Sequence, residues 1–214
     1  MKHFREPVSG FTHLGGAIVS LIGMLILITK TLSNSSSSSL ALIGVILFGV
    51  SLILLYSASS IYHLAVARDT IIFYLRKLDH SMIYVLIAGT YSPVCLTVLQ
   101  GKLRWIIFAT IWGLALIGVL MKLFYFKGPR WISTLSYIGM GWLAVFLIPK
   151  LLGAISVWAV TLLIAGGVLY TVGAVFYQLE KGNTRRTFGA HEVFHIFVLL
   201  GSLSHYLMVF IYLI

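Results

Sequence analysis

The sequence has few charged residues, and acidic ones are the scarcest. Only 9% of its 214 residues are charged, with 5 Asp and Glu against 15 Lys and Arg. A soluble domain carries about 25% charged residues. Here 60% of the residues are hydrophobic and the mean hydropathy is +1.04. This composition cannot build a water-facing surface, so it excludes a separate soluble domain, a DNA-binding module and a disordered chain.

Cysteine is nearly absent as well. The single Cys95 allows no internal disulfide and no cysteine-cluster metal site, which agrees with a reducing or bacterial setting. The net charge of +10 would suggest nucleic acid in a soluble protein. Here the basic residues stand in short loops between apolar runs, which indicates membrane topology and attraction to anionic headgroups. We therefore expect membrane lipids, and no nucleic acid, as partners.

Long apolar runs fill most of the chain. Each is long enough for a spanning helix of ~20 residues, so the sequence predicts an all-α integral membrane protein with one seven-helix transmembrane domain over residues 1–214. Three polar segments, Asn34–Ser39, Arg68–Lys77 and Glu180–Gly189, are expected as loops. The seven runs lie at 11–30, 41–64, 80–99, 105–124, 131–149, 154–177 and 191–214.

The basic residues predict the orientation. With the N-terminus inside, 11 of them lie inside and 4 lie outside, namely Lys30, Lys102, Arg104 and Lys150. The positive-inside rule therefore places the N-terminus in the cytoplasm and the C-terminus outside. The first run does not resemble a cleavable signal, because it is long and further spans follow. We expect a multi-pass protein of the bacterial plasma membrane.

Ionisable residues within the spans are the candidates for function, because they are costly in lipid. Most of them lie at the predicted cytoplasmic ends of the spans, whereas His205 lies ~21 Å beyond His191 along the last helix. His3 stands in the N-terminal tail and carries no signal. The candidates are His13, His63, Asp79, His80, His191, Glu192, His195 and His205.

His191 and His195 are spaced i, i+4 and therefore share one helix face, where they could hold one ion. His63 closes the second span at matching depth and is the best third ligand. Three histidines with one open position are typical of catalytic zinc. Asp79, expected at the start of the third span, could orient the attacking water and take its proton. Ser59 lies one turn deeper than His63 and could hold that water or a substrate carbonyl.

Other interpretations of these residues stay open. His63, Asp79, His191 and His195 could form a polar network that joins three helices, without metal. His191–His195 also spells H-E-x-x-H, the metalloprotease helix, with Asp79 as a possible acidic ligand. Glu192 could instead charge-complement the start of its helix. His13 and His205, each taken alone, are typical hydrogen-bonding core residues. His80 points ~100° from Asp79 on a helix, so the two are not expected to face one centre.

Three separated motifs resemble one family. They are Ser59-Ser60-Ile61-Tyr62-His63, then Leu78-Asp79-His80-Ser81 running into Ala88-Gly89-Thr90-Tyr91-Ser92-Pro93, then His191-Glu192-Val193-Phe194-His195 with a late Ser204-His205-Tyr206. Together with the opening Glu6-Pro7 and Thr12-His13-Leu14-Gly15, they resemble the hemolysin III family. That family is the bacterial branch of the progestin and adipoQ receptor group, which is related to alkaline ceramidases.

The resemblance implies a seven-helix fold with Zn²⁺ near the cytoplasmic side, held by His63, His191 and His195. It also implies that Asp79 holds a water there, with Ser59 alongside. Our main hypothesis is a zinc-dependent hydrolase of a lipid amide or ester with a role in membrane-lipid homeostasis. Two rivals remain: a pore-forming, cytolytic protein, and a zinc-stabilised membrane sensor without turnover. The long N-terminal domain of the receptors is missing, which speaks against a hormone-receptor role.

Overall fold

The computed structural model describes residues 3–125, 128–179 and 189–214, and all its regular elements there are helices. Two helices end in a π-helical turn, and the fifth span contains a 3₁₀ turn between α5 and α6. The α-helices are α1 Pro7–Ser33, α2 Ser39–Leu64, α3 Asp69–Pro93, α4 Gly101–Phe124, α5 Arg130–Trp142, α6 Ile148–Leu152, α7 Val157–Leu179 and α8 Ala190–Met208.

Seven helical spans in the described residues are long and apolar enough to cross a membrane. This confirms the predicted seven-helix class of membrane protein. α3 continues through the π-helical turn Val94–Val98, directly after Pro93, and α8 continues through Val209–Leu213. Pro93 has no backbone N–H to donate, so a change of helical pitch is expected next to it. The fifth span is α5, the 3₁₀ turn Leu143–Leu147 and α6.

The start of the third span was predicted wrongly. Residues 69–77, expected within a loop, are the first turns of α3, so Asp79 and His80 do not open this helix. Ala65 and Arg68 have extended backbone, so residues 65–68 can carry the chain up to ~13 Å away from the end of α2. Ten helical residues then return it by ~15 Å. Asp79 thus still reaches the level of His63. In the predicted loop Asn34–Ser39, Ser38 caps the start of α2. In the predicted loop at 180–189, residues 180–188 lie outside the described residues.

The outer surface of the bundle is apolar. Large side chains such as Val19, Phe146 and Trp158 are 65–81% exposed. Soluble proteins rarely expose contiguous apolar patches larger than a few hundred Å², so this surface fits contact with lipid. The buried core includes Phe48 and Leu151, and it also contains many polar side chains, among them Ser59, His63 and His195.

Close helix contacts bring the polar side chains together. α2 packs against α1 and α3, and α7 packs against α8. A Cβ atom at Gly44 would lie 3.0 Å from the Cα atom of Pro93, so glycine is needed for α2 and α3 to approach this closely. At the start of α1, the backbone N–H of Glu6 donates to the carbonyl of His63, 2.9 Å away. This bond ties the beginning of α1 to the end of α2.

Candidate metal centre

Three histidine rings meet where α2 ends and α8 begins. His63 belongs to the last turn of α2, and His191 and His195 to the first two turns of α8. The Nε2 atom of His191 lies 3.4 Å from that of His63 and 3.1 Å from that of His195. One ligand nitrogen from each ring lies within 4.8 Å of the other two. We call these three residues the histidine cluster, and the end of the bundle that carries them the histidine end.

The spacing of these nitrogens suits a small tetrahedral ion. Zinc–imidazole bonds of 2.0–2.1 Å separate two ligand nitrogens of a tetrahedron by about 3.3–3.4 Å. The distances of 3.4 and 3.1 Å in the cluster are close to this value. Neutral imidazole suits zinc among the biological metals. Three ligands leave one position open, as in catalytic rather than structural zinc sites. The donor set therefore fits zinc, and the identity of the metal stays a prediction.

Glu6 holds His63 from the side opposite the cluster. Its carboxylate contacts Nδ1 of His63, and its backbone N–H bonds to the carbonyl of the same residue. Partial burial raises the pKa of Glu6. The hydrogen bond to His63 and the charges of His63 and Arg5 lower this pKa by more than burial raises it, so the net pKa is below its ordinary value. A carboxylate bound to the outer nitrogen of a histidine fixes the ring and makes it a better metal ligand.

The role of Glu6 was not foreseen from the sequence. It lies outside the first apolar run and is exposed, like any acidic residue near a helix start. One signal was available, since Pro7 marks the first turn of a helix and places Glu6 at its N-cap. That signal locates Glu6 at the membrane surface, but it does not name His63 as the partner.

His13 of α1 also belongs to this region. Its ring is stacked on that of His195, with centroids 3.7 Å apart and an interplanar angle of 13°. Neither ring nitrogen of His13 has a hydrogen-bond partner of normal geometry among the described residues. His13 is thus more than an isolated core histidine, because it fixes the plane of one member of the cluster.

Asp79 and Ser59 lie beside the cluster. Both line the same cavity as the three histidines, and the Ser59 hydroxyl is a hydrogen-bond partner of the Asp79 carboxylate. Asp79 lies close enough to His63 and His191 for electrostatic interaction with their rings. Among the described residues, however, its carboxylate is not part of the group of three side chains that could hold one ion. The sequence expectation of a carboxylate next to the ligands agrees with this placement. That Asp79 acts on a water stays a prediction.

Glu192 has two partners at the start of α8. Its Oε1 atom accepts from the Ser9 hydroxyl at 3.0 Å, and its Oε2 atom accepts from the backbone N–H of Gly189 at 2.7 Å. Both oxygens thus satisfy donors at a helix N-terminus. This geometry favours the helix-capping interpretation over the general base of a metalloprotease.

The remaining histidines lie outside the cluster. His80 lines the cavity, where its ring centre lies 6.2 Å from that of Tyr177. Among the described residues, it does not belong to the group of side chains that could hold one ion. His3 is exposed. His205 lies near the opposite end of α8, where its Nε2 atom donates to the carbonyl of Leu163 over 3.1 Å. That end of the bundle is called the far end below.

A long cavity connects the two ends. Its volume is about 740 Å³, within the ~300–1,000 Å³ of small-molecule sites. The histidine cluster, Asp79 and Ser59 lie at one end, and His205 and Tyr170 at the other. The wall between them is mostly apolar and includes Leu86, Val94, Leu147, Ile148 and Leu163. The space therefore suits an elongated molecule with a polar group at the histidine end.

Comparison with known proteins gives whole-chain matches. The family described as haemolysin-III related matches residues 1–206. The chain is 38% identical to Hemolysin-3 of Bacillus cereus, covering 98% of this chain and 92% of the relative. It is 35% identical to a Hemolysin-3 homolog of Bacillus subtilis (strain 168), covering 97% and 94%. It is 23% identical to the human monocyte to macrophage differentiation factor, covering 98% and 85%.

Proposed function

The chain belongs to the haemolysin-III related family of multi-pass membrane proteins, and on this premise we propose that it hydrolyses an amide or ester bond of a membrane lipid at a zinc ion. The ligands of that ion are His63, His191 and His195. One observation carries the proposal: three imidazole nitrogens converge at one end of a long apolar cavity inside a membrane protein.

The cavity supplies the binding part of this function. An acyl chain along the wall of Leu86, Val94 and Leu163 removes its apolar surface from water. Each buried CH₂ group contributes ~0.8 kcal/mol. The carbonyl that follows the chain then lies at the histidine end. Such fixed placement of the reacting bond is itself a large part of catalysis.

The chemistry at that end divides between the metal and the protein. Zinc at this site would polarise a carbonyl and acidify a water molecule. Asp79 orients the water and takes its proton, while Ser59 holds the carboxylate through their hydrogen bond. The water oxygen forms a bond to the acyl carbon, and the C–N or C–O bond breaks. The proton passes from Asp79 to the leaving nitrogen or oxygen, giving a fatty acid and an amine or alcohol.

The test measures metal content and fatty-acid release from the same preparations. Wild type, His191→Ala and Asp79→Asn are purified without chelators and placed in nanodiscs that contain acyl amides and acyl esters. We expect about one zinc per chain in wild type and in Asp79→Asn, and almost none in His191→Ala. Release of fatty acid should fall at least ~100-fold in Asp79→Asn, the usual loss when a general base is removed, and at least as much in His191→Ala, which loses the metal.

A matched control is His3→Ala, which removes an exposed histidine outside the site. It should keep both metal and turnover. Fatty-acid release by His191→Ala at the wild-type rate would overturn the proposal. Stoichiometric zinc without turnover of any lipid would favour the sensor, in which the metal only ties α2 to α8.

A second candidate comes from the names of two relatives. The Bacillus proteins are called Hemolysin-3 and Hemolysin-3 homolog, which favours permeabilisation of membranes. The mostly apolar wall of the cavity offers little for a water-filled path within one chain. Dye release from liposomes that contain the purified protein separates the two functions. Leakage that persists in His191→Ala would support this candidate.

A further inference from the structure

Three cationic side chains line the cavity near the histidine cluster. Arg76 lies one turn before His80 on α3, Lys122 belongs to the last turn of α4, and Arg130 is the first residue of α5. We call these three residues the cationic rim. Three different helices therefore direct positive charge toward one end of one cavity.

Membrane topology alone does not explain this placement. The positive-inside rule concerns charges in loops, whereas Lys122 is only 8% exposed. Lys122 donates a hydrogen bond to the neutral hydroxyl of Ser133 and lies close enough to Arg76 for electrostatic repulsion. Holding like charges together in a poorly solvated place costs free energy. Three of the chain's 5 carboxylates line the same cavity, and among them Asp79 lies close enough to Arg76 to offset part of this cost; a bound anion at the rim would offset more.

The ring of Tyr177 relates the rim to the cluster. The Arg130 guanidinium lies 6.0 Å from the centre of this ring, and the Tyr177 hydroxyl is a hydrogen-bond partner of Arg76. The centre of the His191 ring is 6.1 Å from the same ring. One tyrosine thus separates the cationic rim from a member of the histidine cluster. A ligand with its anion on the rim can therefore extend past Tyr177 toward the histidines.

We propose that the cationic rim binds the phosphate of a single-chain acyl lipid whose ester or amide carbonyl lies at the histidine cluster. Phosphate fits better than carboxylate because it carries a charge of about −1.5 to −2 and three strong acceptor oxygens. Guanidinium and ammonium groups are the usual partners of such oxygens. The acyl chain extends along the cavity toward His205. The inference rests on the proposed hydrolysis, since it assigns the substrate class of the same site.

The test is binding rather than turnover, so it succeeds or fails independently of hydrolysis. Two probes differ only by the phosphate: 1-acyl-glycerol 3-phosphate and 1-acyl-glycerol with the same chain. Their affinities for the purified full-length protein in detergent are measured by native mass spectrometry. We expect the phosphate lipid to bind at least tenfold more tightly. Equal affinities for the two probes would overturn the proposal.

Substitution of the rim arginines tests whether the cationic rim causes the preference for the phosphate lipid. Arg130→Gln and Arg76→Gln should each weaken binding of the phosphate lipid about tenfold and leave the neutral lipid unchanged. Arg130 is exposed, so its replacement is not expected to disturb folding. Arg68→Gln is the matched control, because Arg68 is an exposed arginine before α3 that does not line the cavity. An equal loss of affinity for the phosphate lipid in Arg68→Gln would show that general surface charge causes the effect, and it would overturn the proposal.

Inorganic phosphate provides the last arm. It has the same acceptor oxygens but no chain, so it should compete with the phosphate lipid only at far higher concentration. Inorganic phosphate that binds as tightly as the lipid would overturn the assignment to a lipid headgroup. The outcome for His191→Ala concerns the proposed hydrolysis alone: turnover lost with the phosphate preference retained supports the rim as a separate element of the site.

Discussion

His195 and His205 lie on the same helix, ten residues and ~15 Å apart, and both are buried. His195 faces two further imidazoles and stacks on a third. His205 lies beside Tyr170 and donates to a backbone carbonyl. Around His195, several imidazole rings bring their nitrogens close together. His205, in contrast, is a single imidazole with an ordinary hydrogen-bond partner. Burial alone therefore does not distinguish a candidate metal ligand from a core histidine, whereas convergence of nitrogens does.

The sharpest test of this contrast is removal of one ring from each end. His191→Ala leaves two ligands, so metal content measured by elemental analysis should fall from about one ion per chain to nearly none. His205→Ala removes a buried histidine of the same helix but should keep the metal. If both variants lost the metal equally, the loss would reflect general disruption of α8, and the two environments would not differ as described.

The next test concerns the carboxylate behind His63. Glu6→Gln keeps the size of the side chain but removes its charge, so His63 becomes a weaker ligand. Loss of such a partner costs 10–100-fold in metal affinity, which chelator competition can measure. Asp69→Asn is the control, because Asp69 is an exposed acid in the first turn of α3. Equal affinities in Glu6→Gln and wild type would show that the contact with His63 is unimportant for the metal.

The far end should respond in stability and not in metal binding. A Cβ atom at Gly166 would overlap the ring of His205, so Gly166→Ala must move that ring away from Leu163. Such overpacking costs typically 1–3 kcal/mol, which unfolding in mixed micelles can measure. Gly167→Ala meets no atom of the described residues within 4 Å and should have almost no effect. A reduced metal affinity in Gly166→Ala would contradict the independence of the two ends.

The smallest effect is expected from the hydroxyl group of Tyr56, whose ring packs against that of His13. Tyr56 and Tyr170 both bond to the hydroxyl of Ser202, over 2.6 and 2.8 Å. Hydrogen bonds between membrane helices average ~0.6 kcal/mol. Tyr56→Phe should therefore lower the free energy of unfolding by about that amount, compared with Tyr125→Phe at an exposed position. A loss of several kcal/mol would mean that the hydroxyls around Ser202 form a cooperative polar network.

The sequence predicted the number of spans and the grouping of three histidines, because hydropathy and helical spacing are local properties. It failed for the start of α3, since Asp69, Arg76 and Lys77 make residues 69–77 polar although they form a helix. It also missed the contacts of Glu6 and the stacking of His13 on His195. Both depend on how α1 packs against α2 and α8, and no local pattern in the sequence specifies that.

The separation of the ligands along the chain has a consequence for biosynthesis. His63 and its partner His191 are 128 positions apart. Helices that insert one after another into a bilayer pack together only afterwards. A nascent chain that still lacks α8 has a single histidine of the cluster, so it holds no tight site. At the proposed zinc site, acquisition of the ion would thus come after the last insertion step, and retained zinc would report that a chain has completed its assembly in the membrane.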